Sequence, residues 1–167
     1  MNLYLLRHGI ATPRGTSGGF VDSKRQLTAE GRAKIRRAAK GMAELGLDFD
    51  LILSSPYLRA RQTAEIVADV FDAETQLRFS DHLKPGGKPE ALIRQILQLA
   101  MPPDDVLLTG HEPHLSSLIS LLVSGQNNCA VAMKKGGLCK LAIDALCPAR
   151  CATLEWLLTP RQLGLLA

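Results

Sequence analysis

Leu3-Tyr4-Leu5-Leu6-Arg7-His8-Gly9 is the stretch on which the fold turns: four consecutive apolar residues, then a cation, an imidazole and a glycine. An apolar run this short, with no polar alternation, predicts a strand buried on both faces, as in a parallel sheet, that stops at the glycine. The same design recurs twice. Leu51-Ile52-Leu53 runs into Ser54-Ser55-Pro56, and Val106-Leu107-Leu108 runs through Thr109 into Gly110-His111.

Helical patterns separate these strands. After a polar, Gly-rich loop over residues 12–26, Thr28 is the expected cap of a helix whose Ile35, Ala38, Ala39, Met42 and Leu45 recur every three or four residues and which closes near Gly46. Ser55 is expected to cap a second helix with Pro56 at its first position, running to about Phe71 and carrying Arg59 one turn in. Pro89 opens a third, with Leu92, Ile93, Ile96, Leu97 and Leu99 on its buried side and Pro102-Pro103 as its stop; residues 115–123 form a fourth. A short strand is expected over 77–79. Residues 138–144 and 152–158 predict a closing antiparallel pair, and Thr159-Pro160 starts a short terminal helix. Strands joined through helices imply right-handed crossovers. The predicted architecture is therefore α/β: a three-layer sandwich with a mostly parallel central sheet, helices on both faces and antiparallel strands near the C-terminus. With no repeat, low-complexity tract or long linker, residues 1–167 are expected to form a single domain.

Composition narrows the function. The chain is 46% hydrophobic and 22% charged, which excludes disorder and collagen, and its apolar runs are far shorter than the roughly 20 residues that cross a bilayer. No membrane partner is expected. Without a basic leader or small-residue cleavage site at its start, the chain is expected to be cytoplasmic. The net charge of +4 is uneven: residues 1–61 hold 11 Lys/Arg against 5 Asp/Glu, residues 62–167 hold 9 against 11. A basic half suits nucleic acid, acidic lipid or a phosphorylated ligand, but 4% aromatic residues leave little to stack bases, so no nucleic-acid partner is expected. Arg32, Lys34, Arg36, Arg37 and Lys40 stand at helical spacing as a solvated face.

Metal chemistry has no support in the spacings. Cys129, Cys139, Cys147 and Cys151 form no C-x-x-C pair, and His111 and His114 stand three apart around Pro113, not four apart on one helix face. No metal or cofactor is expected, and the thiols are expected to be reduced. Arg61 is expected to be a salt-bridged surface residue, His114 a surface residue at a helix start and Glu112 exposed or at a rim. Lys134-Lys135-Gly136-Gly137 is expected to be a turn.

In open α/β sheets, ligands bind beyond the carboxyl ends of the strands. If the three apolar strands are neighbours or next neighbours, a spacing of about 4.8 Å per strand brings their ends within roughly 10 Å. That gathers His8, His111, Arg7 and Arg59. Guanidinium groups match phosphate oxygens bidentately, and a helix N-terminus adds N–H donors. An imidazole among cations keeps its lone pair at neutral pH, which suits nucleophilic attack on phosphorus.

In order and context, Arg7-His8-Gly9, then Ser55-Pro56-Tyr57-Leu58-Arg59-Ala60-Arg61-Gln62-Thr63-Ala64, then Gly110-His111 with Pro113 and Leu115, resemble the histidine phosphatase superfamily over nearly the whole chain. The short length and Asp22-Ser23-Lys24-Arg25-Gln26-Leu27-Thr28 are similar to its small SixA-type phosphohistidine phosphatases. The resemblance implies that His8 is the catalytic nucleophile that becomes phosphorylated. It implies that Arg7, Arg59 and His111 hold the phosphoryl oxygens, with Asp22 and Arg25 near the substrate. It further implies a metal-independent phosphatase of signal transduction acting on phosphohistidine of a protein, such as a histidine phosphotransfer domain, with phosphate and other oxyanions able to occupy the site.

One departure bears on the substrate. Many members of the superfamily supply a glutamate acid between the second and third motifs, whereas Ser80-Asp81-His82-Leu83-Lys84-Pro85 holds none. An ester leaves as an alkoxide and needs an acid partner; phosphohistidine releases an imidazole whose conjugate acid has a pKa of about 6.5. The missing acid therefore favours a nitrogen–phosphorus substrate, with Asp22, Asp81 and His82 still open as donors. The 51 residues between Arg59 and His111 leave no room for a lid domain, so an open site is expected, with the basic helix after Thr28 steering an acidic phosphoprotein. The alternatives are the same pocket acting on small phosphate esters or as a mutase, and an inactive phosphoprotein-binding module.

Overall fold

The computed structural model describes residues 1–15 and 20–167; positions 16–19 of the expected Gly-rich loop lie outside the described residues. One mixed sheet contains β1 (Asn2–Arg7), β2 (Leu51–Ser54), β3 (Leu77–Phe79), β4 (Asp105–Gly110), β5 (Leu138–Ile143) and β6 (Ala152–Leu158), in the order β3-β2-β4-β1-β5-β6. β4 lies parallel between β1 and β2, and β3 continues the parallel block; β5 is antiparallel to β1, and β6 to β5. The helices are α1 (Ala29–Glu44), α2 (Leu58–Val70), α3 (Pro89–Leu97), α4 (His114–Ser124) and α5 (Pro160–Leu163). This is the expected sandwich. Among the described residues, no helix is long and apolar enough to cross a membrane.

Alternation along the strands divides the core into two layers. Leu3 and Leu5 of β1, Leu53 of β2, and Val106 and Leu108 of β4 meet Leu92 and Ile93 of α3 and Leu115, Leu118 and Leu122 of α4. Tyr4, Leu6, Ile52 and Leu107 face the other way, onto Ile35, Ala38 and Met42 of α1, Ala64 and Val67 of α2 and Leu163 of α5. The central strands are apolar throughout because helices cover both of their faces. Each buried leucine or isoleucine contributes about 1.5–3 kcal/mol.

Local signals explain most helix ends. The Thr28 hydroxyl accepts the Gly31 N–H and caps α1, Pro89 opens α3, and Thr159 with Gln162 forms a capping box at α5. Two expectations are corrected. α2 starts at Leu58, with Tyr57 in the cap position and no side-chain cap; Ser55 Oγ instead accepts the Tyr57 N–H within the preceding bend. Arg59 thus sits in the first turn of α2, not one turn along. α3 ends at Leu97, and both Leu97 and Leu99 are exposed. Leu92, Ile93 and Ile96 define the buried stripe; Leu97 lies a further 100° or so around the helix, and Leu99 lies beyond its end.

The three functional strands end level. Arg7 pairs with Gly110 and Ser54 with Thr109. The ladder then extends one residue further on either side of β4: the His8 N–H donates to the Gly110 carbonyl at 3.1 Å, and the Ser55 N–H to the Thr109 carbonyl at 2.9 Å.

Candidate active site

His8 follows β1 directly, so the strand aims it at the sheet's carboxyl end. Its Nδ1 is 2.7 Å from the Gly9 carbonyl, and Arg59 Nε lies 3.2 Å from its Nε2. A carbonyl only accepts, so Nδ1 carries the ring proton and Nε2 keeps the lone pair, which accepts the Arg59 Nε–H. The ring of His111 lies 5.0 Å from that of His8, centroid to centroid. Ser55 Oγ holds His111 Nε2 at 2.9 Å, while His111 Nδ1 is buried without a partner. Exposure of 6% for His8, 3% for Arg59 and 2% for His111 makes this a recessed polar cluster.

Arg59 is held from behind. Its Nη1 donates to the Asp22 carbonyl at 2.9 Å and its Nη2 to Asp22 Oδ2 at 3.0 Å. Arg25 Nη1 reaches Asp22 Oδ1 at 3.1 Å, and Arg25 Nε donates to the Thr12 carbonyl at 2.8 Å. The first long loop is thus pinned to α2 through one carboxylate hydrogen-bonded to Arg25 and Arg59, with Arg14 paired to it more loosely at 3.6 Å. Arg7 donates through Nη1 to the Met133 carbonyl at 2.7 Å, and its Nε is buried without a partner. A buried guanidinium N–H with no partner beside the cluster is a feature of oxyanion-binding sites.

The charge states follow from this packing. Burial, together with the charges of Arg59, Arg7 and Lys135, overrides the Gly9 bond and pulls His8 down to about 4. Burial and the neighbouring His8 and Arg59 bring His111 down to about 3. Both rings are neutral at neutral pH. Burial alone would raise the Asp22 carboxyl, but its bonds to Arg25 and Arg59 carry it below the usual range, so it remains a carboxylate. A neutral imidazole amid cations, its Nε2 lone pair held by the Arg59 Nε–H, has the chemistry of an anion-binding site with a basic nitrogen at its centre.

The family model of the histidine phosphatase superfamily (branch 1) matches residues 3–84. Phosphohistidine phosphatase SixA of Escherichia coli (strain K12) is 30% identical over 128 residues, 75% of this chain and 76% of that one. The chain belongs to the histidine phosphatase superfamily. An uncharacterized protein of Picosynechococcus sp. is 35% identical over 146 residues, 87% of each chain. The fold superposes on the structure of the protein histidine phosphatase SixA complexed with tungstate with a TM-score of 0.81, at 24% identity, over 98% of this chain and 99% of that chain. This histidine phosphatase is of the SixA type, and its activity is that of a phosphatase.

The structure of the phosphatase gathers the six anticipated residues at this end of the sheet: His8 bonds Arg59 and lies beside His111, Asp22 and Arg25 stand behind Arg59, and Arg7 adjoins His8 with its guanidinium bonded to the Met133 carbonyl. It also adds residues that the motifs did not single out. The Thr63 hydroxyl accepts the Gly9 N–H at 3.1 Å and donates to the Arg59 carbonyl at 2.7 Å, tying the His8–Gly9 segment to α2. Tyr57 packs edge-on to His111 at 5.5 Å, with the Arg59 guanidinium 5.3 Å from its ring. Lys135, read only as part of a turn, adds its charge at His8.

The neighbouring residues divide. Arg61 is the expected surface residue, paired to Glu65 at 2.7 Å. His114, expected at the surface, is buried at 4% exposure with neither ring nitrogen bonded, because the first turn of α4 packs inward against the α3 layer. Glu112 is half-buried: one carboxylate oxygen accepts the Ser116 hydroxyl at 2.6 Å, and the other is enclosed without a partner. Of the candidate acids, Asp22 is locked as a carboxylate, Asp81 is exposed and paired to Lys84 at 2.8 Å, and His82 is exposed.

Proposed function

We propose that this phosphatase hydrolyses phosphohistidine displayed on another protein, through a covalent phosphohistidine on its own His8 and without a metal ion. The observation that carries the reading is the absence, among the described residues hydrogen-bonded or packed around His8, of any group that bears an acidic proton at neutral pH. His8 and His111 are neutral and Asp22 is ionised. Such a site suits a leaving group that departs unaided, and an imidazole is one, whereas an alkoxide is not.

In the first step His8 Nε2 attacks phosphorus in line. The new Nε2–P bond forms as the P–N bond of the substrate breaks, and that electron pair stays on the substrate ring, which departs as neutral imidazole because its distal nitrogen carries a proton. The Nδ1–H bond to the Gly9 carbonyl supports the positive charge that the phosphorylated ring acquires. Arg59, Arg7 and His111 hold the phosphoryl oxygens, and water then attacks phosphorus, releasing phosphate and regenerating His8. The cations supply by placement the charge stabilisation on which phosphoryl transfer depends. A substrate of this kind, such as a histidine phosphotransfer domain, places the enzyme in cytoplasmic signal transduction.

The test is phosphate release from a phosphohistidine-bearing carrier protein beside phosphoserine and sugar phosphate, with trapping of an acid-labile phosphoenzyme. The expected results are preference for the carrier and a phosphoenzyme lost in His8→Ala. A fully active His8→Ala enzyme, or a clear preference for sugar phosphates, would overturn the proposal.

A further inference from the structure

A basic groove runs along the outside of the phosphatase between α1 and α5. It has a volume of about 450 Å³ and is lined by Lys34, Arg37, Pro160, Arg161, Gly164 and Leu165. No carboxylate lines it among the described residues. Glu30 pairs with Lys34 at 2.5 Å, and Arg37 Nε donates to the Gly164 carbonyl at 2.6 Å, which fixes α5 against α1. Leu165 and Leu166, just beyond α5, are 72% and 46% exposed.

The Pro160 end of the groove lies behind the backbone of His8. Leu138 pairs with Leu6 of β1 on one side and Leu158 of β6 on the other, so β6 ends level with β1 and α5 begins at the catalytic end of the sheet. Gly136, at φ 77°, donates its N–H to the carbonyls of Arg7 and His8. A Cβ on Gly136 would lie 3.1 Å from Ile35, on the buried face of α1, and 3.3 Å from Pro160 of the groove, so the loop behind His8 packs between α1 and the start of α5. Lys135, exposed and with its charge acting on His8, adjoins that glycine.

We propose that this groove is the docking surface for the protein that carries the phosphohistidine, and that it receives an acidic, amphipathic face of that protein. The inference rests on the substrate reading above and names the contact that reading lacks. A single displayed imidazole offers His8 little area to bind, so affinity for a protein must come from surface next to the site. The groove supplies both components of a specific interface: cations that match acidic side chains and speed encounter, and exposed leucine surface for the apolar part of the contact. The excess of basic residues over acidic ones in residues 1–61 adds attraction at longer range.

The test uses the full-length Lys34→Glu/Arg161→Glu variant, which alters neither His8 nor any group bonded to it. With a phosphohistidine-bearing helical carrier domain of strongly negative net charge, KM is expected to rise about tenfold while kcat holds; turnover of free phosphohistidine is expected to stay unchanged. Loss on both substrates, or on neither, overturns the docking proposal. Binding is read separately, by titrating the phosphorylated carrier into His8→Asn with and without the two reversals. About tenfold weaker binding supports docking even if the wild-type enzyme proves inactive on phosphohistidine, a result that would sink only the substrate reading. Equal affinities overturn the groove, as would reversal-sensitive binding to vesicles of anionic phospholipid with none to the carrier.

Discussion

The Nε–H of Arg59 donates to Nε2 of His8 across 3.2 Å, so the guanidinium proposed to clamp a phosphoryl group rests on the lone pair proposed to attack it. At that length the bond is weak and readily exchanged for shorter, charge-assisted bonds to phosphoryl oxygens. Until then it holds the imidazole in the reactive tautomer. Asp22 makes the arrangement possible by bonding the remaining edge of the guanidinium, so Arg59 is restrained and partly neutralised without losing its reach to His8.

Arg59→Ala is expected to lower kcat/KM by on the order of 10²–10³, the effect of removing a preorganised donor from a developing oxyanion. Arg59→Lys is expected to recover little, since a single ammonium cannot span His8 and two oxygens of Asp22. Steady-state kinetics on the phosphohistidine carrier decides this; near-complete recovery by lysine would reduce Arg59 to a point charge.

Asp22→Asn separates two roles for the loop carboxylate. If Asp22 serves as a counter-charge, the variant keeps activity on phosphohistidine within about tenfold and binds inorganic phosphate several-fold more tightly, because a negative charge beside Arg59 and Arg25 is gone. If Asp22 is the proton donor, kcat collapses and phosphate affinity changes little. Inhibition constants for phosphate measured beside kcat distinguish the two.

Thr63 is expected to be a positioning residue. Thr63→Val keeps the volume but leaves the buried Gly9 N–H without an acceptor, a cost of about 1–3 kcal/mol, and loosens the link between the His8–Gly9 segment and α2. Both kcat and the urea midpoint should fall, with Thr63→Ser restoring kcat while recovering stability only in part. Restored stability without restored kcat would make the role purely structural.

The sheet and its catalytic edge were legible because the signals are local: apolar runs of three or four residues, each ending in polar sequence, and a threonine cap before α1. His8, Arg59 and His111 could be brought together on paper because the strand ends that carry them, or precede them, are aligned by pairing. What escaped depends on contacts remote in sequence. The bond of Arg7 to Met133 spans 126 positions, and that of Thr63 to Gly9 spans 54, so no local pattern announces either. Ser55 resembles a helix cap in sequence, yet its hydroxyl serves His111 and the bend at Tyr57. His114 has the polarity of a surface residue, and only the inward packing of α4 decides its burial.

Folding stability should fall as the solution is acidified from about pH 6.5 towards 4. His8 and His111 are held at about 4 and about 3 in the folded protein, and His114 is also lowered, chiefly by burial. In the unfolded chain each returns to about 6.5. A depressed histidine lets the unfolded state bind protons that the folded state refuses, so its contribution is complete above 6.5 and is lost as pH drops towards the folded value. Asp22 acts in the same direction but only at lower pH, since its carboxyl is shifted down from an already acidic value. Between pH 6.5 and 4 the slope of unfolding free energy should therefore approach two protons, from His8 and His111, each worth about 1.4 kcal/mol per pH unit, with His114 adding to it in the same direction. His114→Leu removes the His114 contribution without touching His8 or Arg59, so it should flatten the slope while leaving kcat/KM at pH 7 unchanged. Urea unfolding at half-unit pH intervals measures the slope; a midpoint that stays constant down to pH 5 would show that these rings are not held neutral by the fold.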